Sequence, residues 1–150
     1  MTRVALPRSV EAESATLSTP VVPPGAAGGV GAERRGRKLR RDLKLLATFI
    51  RVYCDGHHRT APREVVRLKT HDVTEIYGRP LELCSACRKL LTHAFVKRTA
   101  CPLDPKPMCK KCPQHCYGSP YRAQIREVMR YAGRKLVLRG RLDYLLHLFF

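Results

Sequence analysis

Long apolar runs are missing from this 150-residue chain; its longest are only a few residues, against the roughly 20 that a bilayer span requires. No segment is therefore expected to cross a membrane. The opening stretch, MTRVALPRSVEAESATLSTP, also lacks the continuous apolar block of a secretory signal and carries Glu11 and Glu13 where such a signal is greasy. The expectation is a cytoplasmic protein whose thiols stay reduced. Acidic residues are scarce as well: 12 Asp and Glu stand against 29 Lys and Arg, a formal net charge of +17. The imbalance is uneven, because residues 1–33 hold Arg3 and Arg8 against Glu11, Glu13 and Glu33, net −1, which leaves +18 for residues 34–150. A surface so short of acid attracts nucleic acid or another acidic partner, whether or not binding one is its task. Apolar side chains supply only a modest core for one domain, so something beyond burial is expected to help hold it together.

What is present divides the chain in two. Residues 1–33 are rich in Ala, Pro, Gly, Ser and Val without periodicity, a composition that reads as a disordered tail. Residues 34–150 read as a mainly α, small helical domain with a Pro/Cys-rich metal-binding loop. Leu39, Leu43, Leu46, Ile50 and Tyr53 recur by three and four, predicting a first helix from Arg34 that stops near Asp55-Gly56. Residues 59–80, with Pro62, Gly78 and Pro80, admit either a short strand pair or an irregular excursion. A second helix is predicted from Leu83 to about Arg98, with a Cys pair at its start. Four prolines in ACPLDPKPMCKKCPQHCYG, residues 100–118, rule out a continuous helix there and predict a loop. Ser119 as cap and Pro120 at the first position predict a third helix, with Tyr121, Ile125, Val128 and Ala132 inward. A last helix is predicted over residues 141–149. Tyr53, Tyr117, Tyr121 and Tyr131 are expected at helix and loop boundaries with wet hydroxyls.

Seven cysteines cannot all pair with one another, and close-spaced pairs in a reducing compartment read as metal ligands before they read as disulfides. Two intervening residues let paired thiolates converge on one ion at about 2.3 Å per Zn–S bond. Cys84 and Cys87 have that spacing, as do Cys109 and Cys112, with Cys101 and Cys116 nearby and Cys54 one helical turn from His58. Four-ligand sites then form without remainder. Cys54, His58, Cys84 and Cys87 make one set, and Cys101, Cys109, Cys112 and Cys116 the other. His57 and His115 are placed as partners around the ligands, and His71, His93 and His147 as structural or surface residues. Zinc is the first choice of metal; an iron–sulfur cluster is the alternative for Cys101, Cys109, Cys112 and Cys116. Buried free thiols or a redox dithiol are the plainer alternative, which the clustering disfavours.

The stretches KPMCKKCPQHCY and REVMRYAG, together with IRVYCDGHH and LCSACRKLLTHAFVKR upstream, resemble the nitrous oxide-stimulated promoter family of small bacterial proteins. The resemblance spans roughly residues 38–149. It departs from the family pattern in a longer stretch between His58 and Cys84, in CPLD where CPFG is usual, and in GRKLVLRG for a GPRM-type segment. It implies an association with the bacterial response to nitrogen oxides and carries no known reaction.

The function expected is thus a non-enzymatic metal-binding protein tied to nitrosative stress. Cys54 beside His57 and His58 can be drawn as a nucleophile with its base, but no carboxylate is placed to orient a histidine, and no catalytic residue is assigned. The alternative is a metal-stabilised nucleic-acid- or ribosome-binding module. Its candidate surface is Arg34, Arg35, Arg37, Lys38, Arg40 and Arg41, with Arg122, Arg126 and Arg130 on a second strip. Nothing in the sequence signals an oligomeric state.

Overall fold

The computed structural model describes residues 29–103, 107, 112–114 and 116–141. Its elements are helices α1 (Gly29–His57), α2 (Val73–Tyr77), α3 (Ser85–Thr99) and α4 (Ser119–Leu138), with strands β1 (Arg63–Val65) and β2 (Glu82–Cys84). The domain is mainly α, as its periodicity requires.

The C-terminal half of α1 is the axis of the fold. Leu43, Leu46, Ala47, Ile50 and Cys54 step by three and four down one face and are all buried, with Phe49 beside them. Against this face pack α3, through Cys87, Leu90, Leu91, Ala94 and Phe95, and α4, through Val128, Ala132 and Leu136. The N-terminal turns have no such neighbours: residues 31–38 are exposed around the whole circumference and project from the body.

At both ends α1 is longer than its pattern predicts. It begins at Gly29, inside the stretch read as tail, while residues 1–28 lie outside the described residues. No proline stands between Pro24 and the helix, and extending a formed helix is far easier than nucleating one. At the other end the helix runs through Asp55 and Gly56 to His57. Gly56 is not a stop signal. A Cβ at this position would collide with the ring and hydroxyl of Tyr131, so the missing side chain is what lets α4 approach α1 here.

The excursion between α1 and α3 resolves as a strand pair with a helical turn in its loop. β1 and β2 run antiparallel, with Arg63 opposite Cys84 and Val65 opposite Glu82, and the Val66 N–H donates to the Leu81 carbonyl at 2.7 Å. Val66, Val73, Leu81 and Leu83 anchor it in the core. Asp72 caps α2 by accepting from the Glu75 N–H at 2.9 Å, and Gly78 closes it at φ 92°, a left-handed conformation that glycine adopts freely. Arg40 ties α2 to α1 through Glu75 at 2.8 Å, and Arg98 ties α3 to α1 through Asp42 at 2.7 Å.

Gly118, not Ser119, is the N-cap of α4; its carbonyl accepts from the Arg122 N–H at 2.9 Å, and Pro120 falls in the first turn, where its missing N–H is not needed. Tyr121 and Ile125 are half-buried and Val128 and Ala132 buried, the predicted inward face. The Tyr53 hydroxyl, expected to be wet, donates to Glu127 of α4 at 2.7 Å. The described members of 100–118 form no helix or strand beyond the tight turn into α4. The helix predicted over 141–149 lies outside the described residues, apart from an exposed, non-helical Arg141.

Candidate metal centre

Cys54 sits on the buried stripe of α1 and is 0% exposed. The His58 N–H donates to the Cys54 carbonyl at 2.9 Å, continuing the helical pitch one residue past the helix end, so both side chains lie on one face a turn apart. The other two donors come from the junction of β2 and α3. Cys84 ends the strand and occupies the N-cap of α3 in an extended conformation (φ −67°, ψ 164°); Cys87 is the third residue of the helix. That turn is the structural meaning of the two-residue spacing.

The four residues converge. His58 Nδ1 lies 3.2 Å from Cys87 Sγ and 3.4 Å from Cys84 Sγ, and all four donor atoms lie within 4.8 Å of one another. A tetrahedral zinc with Zn–S of about 2.3 Å and Zn–N of about 2.0 Å sets its donors roughly 3.5–3.8 Å apart. The observed separations bracket those edges, and the donor chemistry, three soft thiols and one imidazole, suits such an ion. Nδ1 is the nitrogen turned toward the sulfurs. The three cysteines are buried and His58 is half-buried, so the imidazole side is where the site meets solvent.

Without an ion, these thiols oppose one another. Burial pushes the Cys87 thiol far up, and the neighbouring Cys54 and Cys84 sulfurs push the same way. Burial also raises Cys54. At Cys84 burial is outweighed by the backbone N–H groups of Cys87 and Ala86 and by the thiols of Cys87 and Cys54, so its thiol is lowered, although the sulfur makes no capping hydrogen bond of regular geometry. A helix N-terminus favours a thiolate for this reason. A bound cation would deprotonate all three, since a coordinating thiol loses its proton outright.

Three thiolates on a divalent ion would leave a single negative charge, which Arg63 stands near enough to offset. Directly opposite Cys84 in the strand pair, it donates from Nη2 to the Cys54 carbonyl at 3.4 Å and from Nη1 to Asp55 Oδ1 at 2.5 Å. The hydrogen bond to Asp55 holds its guanidinium above the ordinary value, against burial, with the Cys54, Asp55 and Cys84 charges adding to it. Burial works to raise the Asp55 carboxyl, but Arg51 and Arg63 together hold it below its ordinary value. Spacing along the chain gives no hint of Arg63; only the register of β1 on β2 brings it here. Equally invisible in sequence is the aromatic wall beside the site. His57 stacks on Tyr53 with ring centroids 4.4 Å apart and meets Tyr131 edge-on at 4.4 Å, so its ring is held by aromatic contacts.

The remaining described cysteines are not among the converging donors. Of the second set, Cys101 and Cys112 are half-buried and Cys116 is exposed, the Cys112 thiol donates to the Gln114 carbonyl at 3.0 Å, and Cys109 lies outside the described residues, as does His115. His71 pairs with the Thr99 hydroxyl at 2.9 Å, and His93 stacks on Tyr121 at 4.0 Å. Among the basic residues, Arg34, Arg35, Arg37, Lys38, Arg40, Arg41, Arg126 and Arg130 are exposed and Arg122 is half-buried.

A family model described as nitrous oxide-stimulated promoter matches residues 37–150, more than half of the chain. The protein belongs to that family. All four converging donors and all seven cysteines fall within the matched region. A relative in the nitrous oxide-stimulated promoter family, the uncharacterized protein YgbA of Escherichia coli (strain K12), is 42% identical over 36 residues, 24% of this chain and 31% of YgbA. The match thus spans about a third of that relative's length. No solved structure matches. Among the described residues, no helix is long and apolar enough to cross a membrane.

Proposed function

We propose that Cys54, His58, Cys84 and Cys87 hold one zinc ion, and that this site is a non-enzymatic target of nitrogen-oxide chemistry in the cytoplasm. The observation that carries the reading is the convergence of three buried thiols and one imidazole within 4.8 Å. Zinc is favoured because a Cys3His tetrahedron is a closed structural site. The ion would supply charge and cross-linking; the chain supplies the rest. Arg63 offsets the excess negative charge, and the N–H groups at the start of α3 support the Cys84 thiolate. Free thiols this close are prone to pair where the surroundings oxidise, so a chain that must keep them reduced until metal arrives suits the cytoplasm.

The link to nitrogen oxides comes from the family's description and from thiolate reactivity. In transfer from an S-nitrosothiol, a cysteine sulfur attacks the nitroso nitrogen; the new S–N bond forms as the donor's breaks, and the donor leaves as thiolate. The nitrosated cysteine no longer binds as an anion, and the set falls from four ligands to three.

The test is metal analysis and an optical spectrum of protein purified without oxygen, followed by S-nitrosoglutathione with a chromogenic zinc indicator. One zinc lost on Cys54→Ser substitution, and released stoichiometrically by the nitrosothiol, is the expected result. Protein without zinc at these residues defeats the metal assignment. Zinc that the nitrosothiol leaves in place defeats the reactive role.

A further inference from the structure

We infer that the projecting N-terminal half of α1 is an arm that binds duplex DNA through its phosphate backbone. The inference is independent of the metal reading. Residues 34–41, RRGRKLRR, place six cations and no carboxylate on just over two turns of helix. Arg34 and Lys38, and Arg37 and Arg41, are like charges four residues apart, an arrangement that destabilises a helix. Tertiary packing does not offset this, because residues 31–38 are exposed on every side. A polyanion relieves this cost. Arg40, at the root of the arm, is already tied to Glu75.

The chemistry of the arm selects among polyanions. Residues 31–38 include no large apolar side chain, so there is no face to insert into a lipid boundary. They include no aromatic ring on which an unpaired base could stack. What remains is a slim cationic helix, and a helix about 10–12 Å across fits the B-form major groove, about 12 Å wide, whereas the A-form major groove of RNA is too narrow. With arginine and lysine facing all directions, the contacts are to phosphates and carry no preference for sequence.

Full-length protein, as purified, is titrated into a labelled short DNA duplex by fluorescence anisotropy over about 50–200 mM salt. Four phosphate contacts predict a slope of about −4 in log affinity against log salt, a loss of roughly 10²-fold across that range. Replacing Arg34, Arg37, Lys38 and Arg41 together by Ala is expected to remove most of the affinity and slope. The charge-matched replacement of Arg67, Lys69, Lys89 and Arg134, all exposed elsewhere, is expected to keep them. Circular dichroism and thermal unfolding establish that both variants fold. Absence of binding at the lowest salt overturns the inference, as does equal loss in the two variants. Equal affinity for single strands, an RNA duplex or phosphatidylserine vesicles overturns it too.

Discussion

Replacing Cys87 with Ser separates a metal ligand from a buried thiol that merely fills space. Cys87 is 2% exposed, and serine is close enough in size that packing changes little. If the residue is only a buried thiol, the substitution buries a more polar hydroxyl with His58 as its one strong partner, at no more than about 1–3 kcal/mol, with or without metal. If it is a ligand, more is lost. Structural zinc binds with roughly 10–16 kcal/mol, so an equal share for each of four ligands is about 3 kcal/mol, a zinc affinity more than 100-fold weaker. For a domain near 100 residues, that share alone lowers Tm by roughly 12 °C or more. The assay is thermal unfolding of wild type and variant, each zinc-loaded and each in excess chelator, with zinc retention read by competition against an indicator. The gap is expected to be wide with zinc, and with chelator to shrink to the hydroxyl cost or vanish with the cooperative transition. An identical gap in both conditions, or unchanged retention of zinc, refutes ligation by Cys87.

Three further outcomes are expected. Gly56→Ala should destabilise by about 1–2 kcal/mol in denaturant unfolding although alanine favours helix by about 1 kcal/mol, because the new methyl displaces Tyr131; a stabilised variant contradicts the close approach. Tyr53 is pushed up to about 12 from 10.0, by burial first and then by the hydrogen bond and charge of Glu127. Its neutral form therefore adds stability that is complete below pH 10 and fades as pH rises through about 12. Ultraviolet titration should show a late-ionising tyrosine that moves down in Glu127→Gln. Asp42→Ala leaves the largely covered Arg98 guanidinium without its carboxylate and should cost about 1–2 kcal/mol, while a loss within error shows the α1–α3 pair to be incidental.

The convergence of Cys54, His58, Cys84 and Cys87 was legible because its geometry is local in two halves. A turn of helix joins Cys54 to His58, and a strand-to-helix turn joins Cys84 to Cys87; each half writes its spacing into the sequence. What joins the halves is not local, yet a four-ligand requirement was enough to pair them. Gly56 misled for the opposite reason. Its local signal is to end a helix, and the fact that decides otherwise, the ring of Tyr131, lies 75 positions away. Arg63 likewise owes its place to β1 pairing with β2, a register set by three-residue strands too short to show alternation. The N-terminal turns of α1 carry no apolar periodicity because none of residues 31–38 is buried, so a pattern built on burial could not see where the helix begins.

The path from His58 to Cys84 leaves the centre and returns to it, clasped at both ends. Chain closed in this way can be lengthened at little expense, since doubling a flexible loop adds only about 0.6 kcal/mol of closure entropy. Gly78 and Pro80, exposed at the tip between α2 and β2, mark where extra residues would be accommodated without moving a donor atom. Insertions there leave the centre whole, which makes the tip a practical position for a reporter peptide.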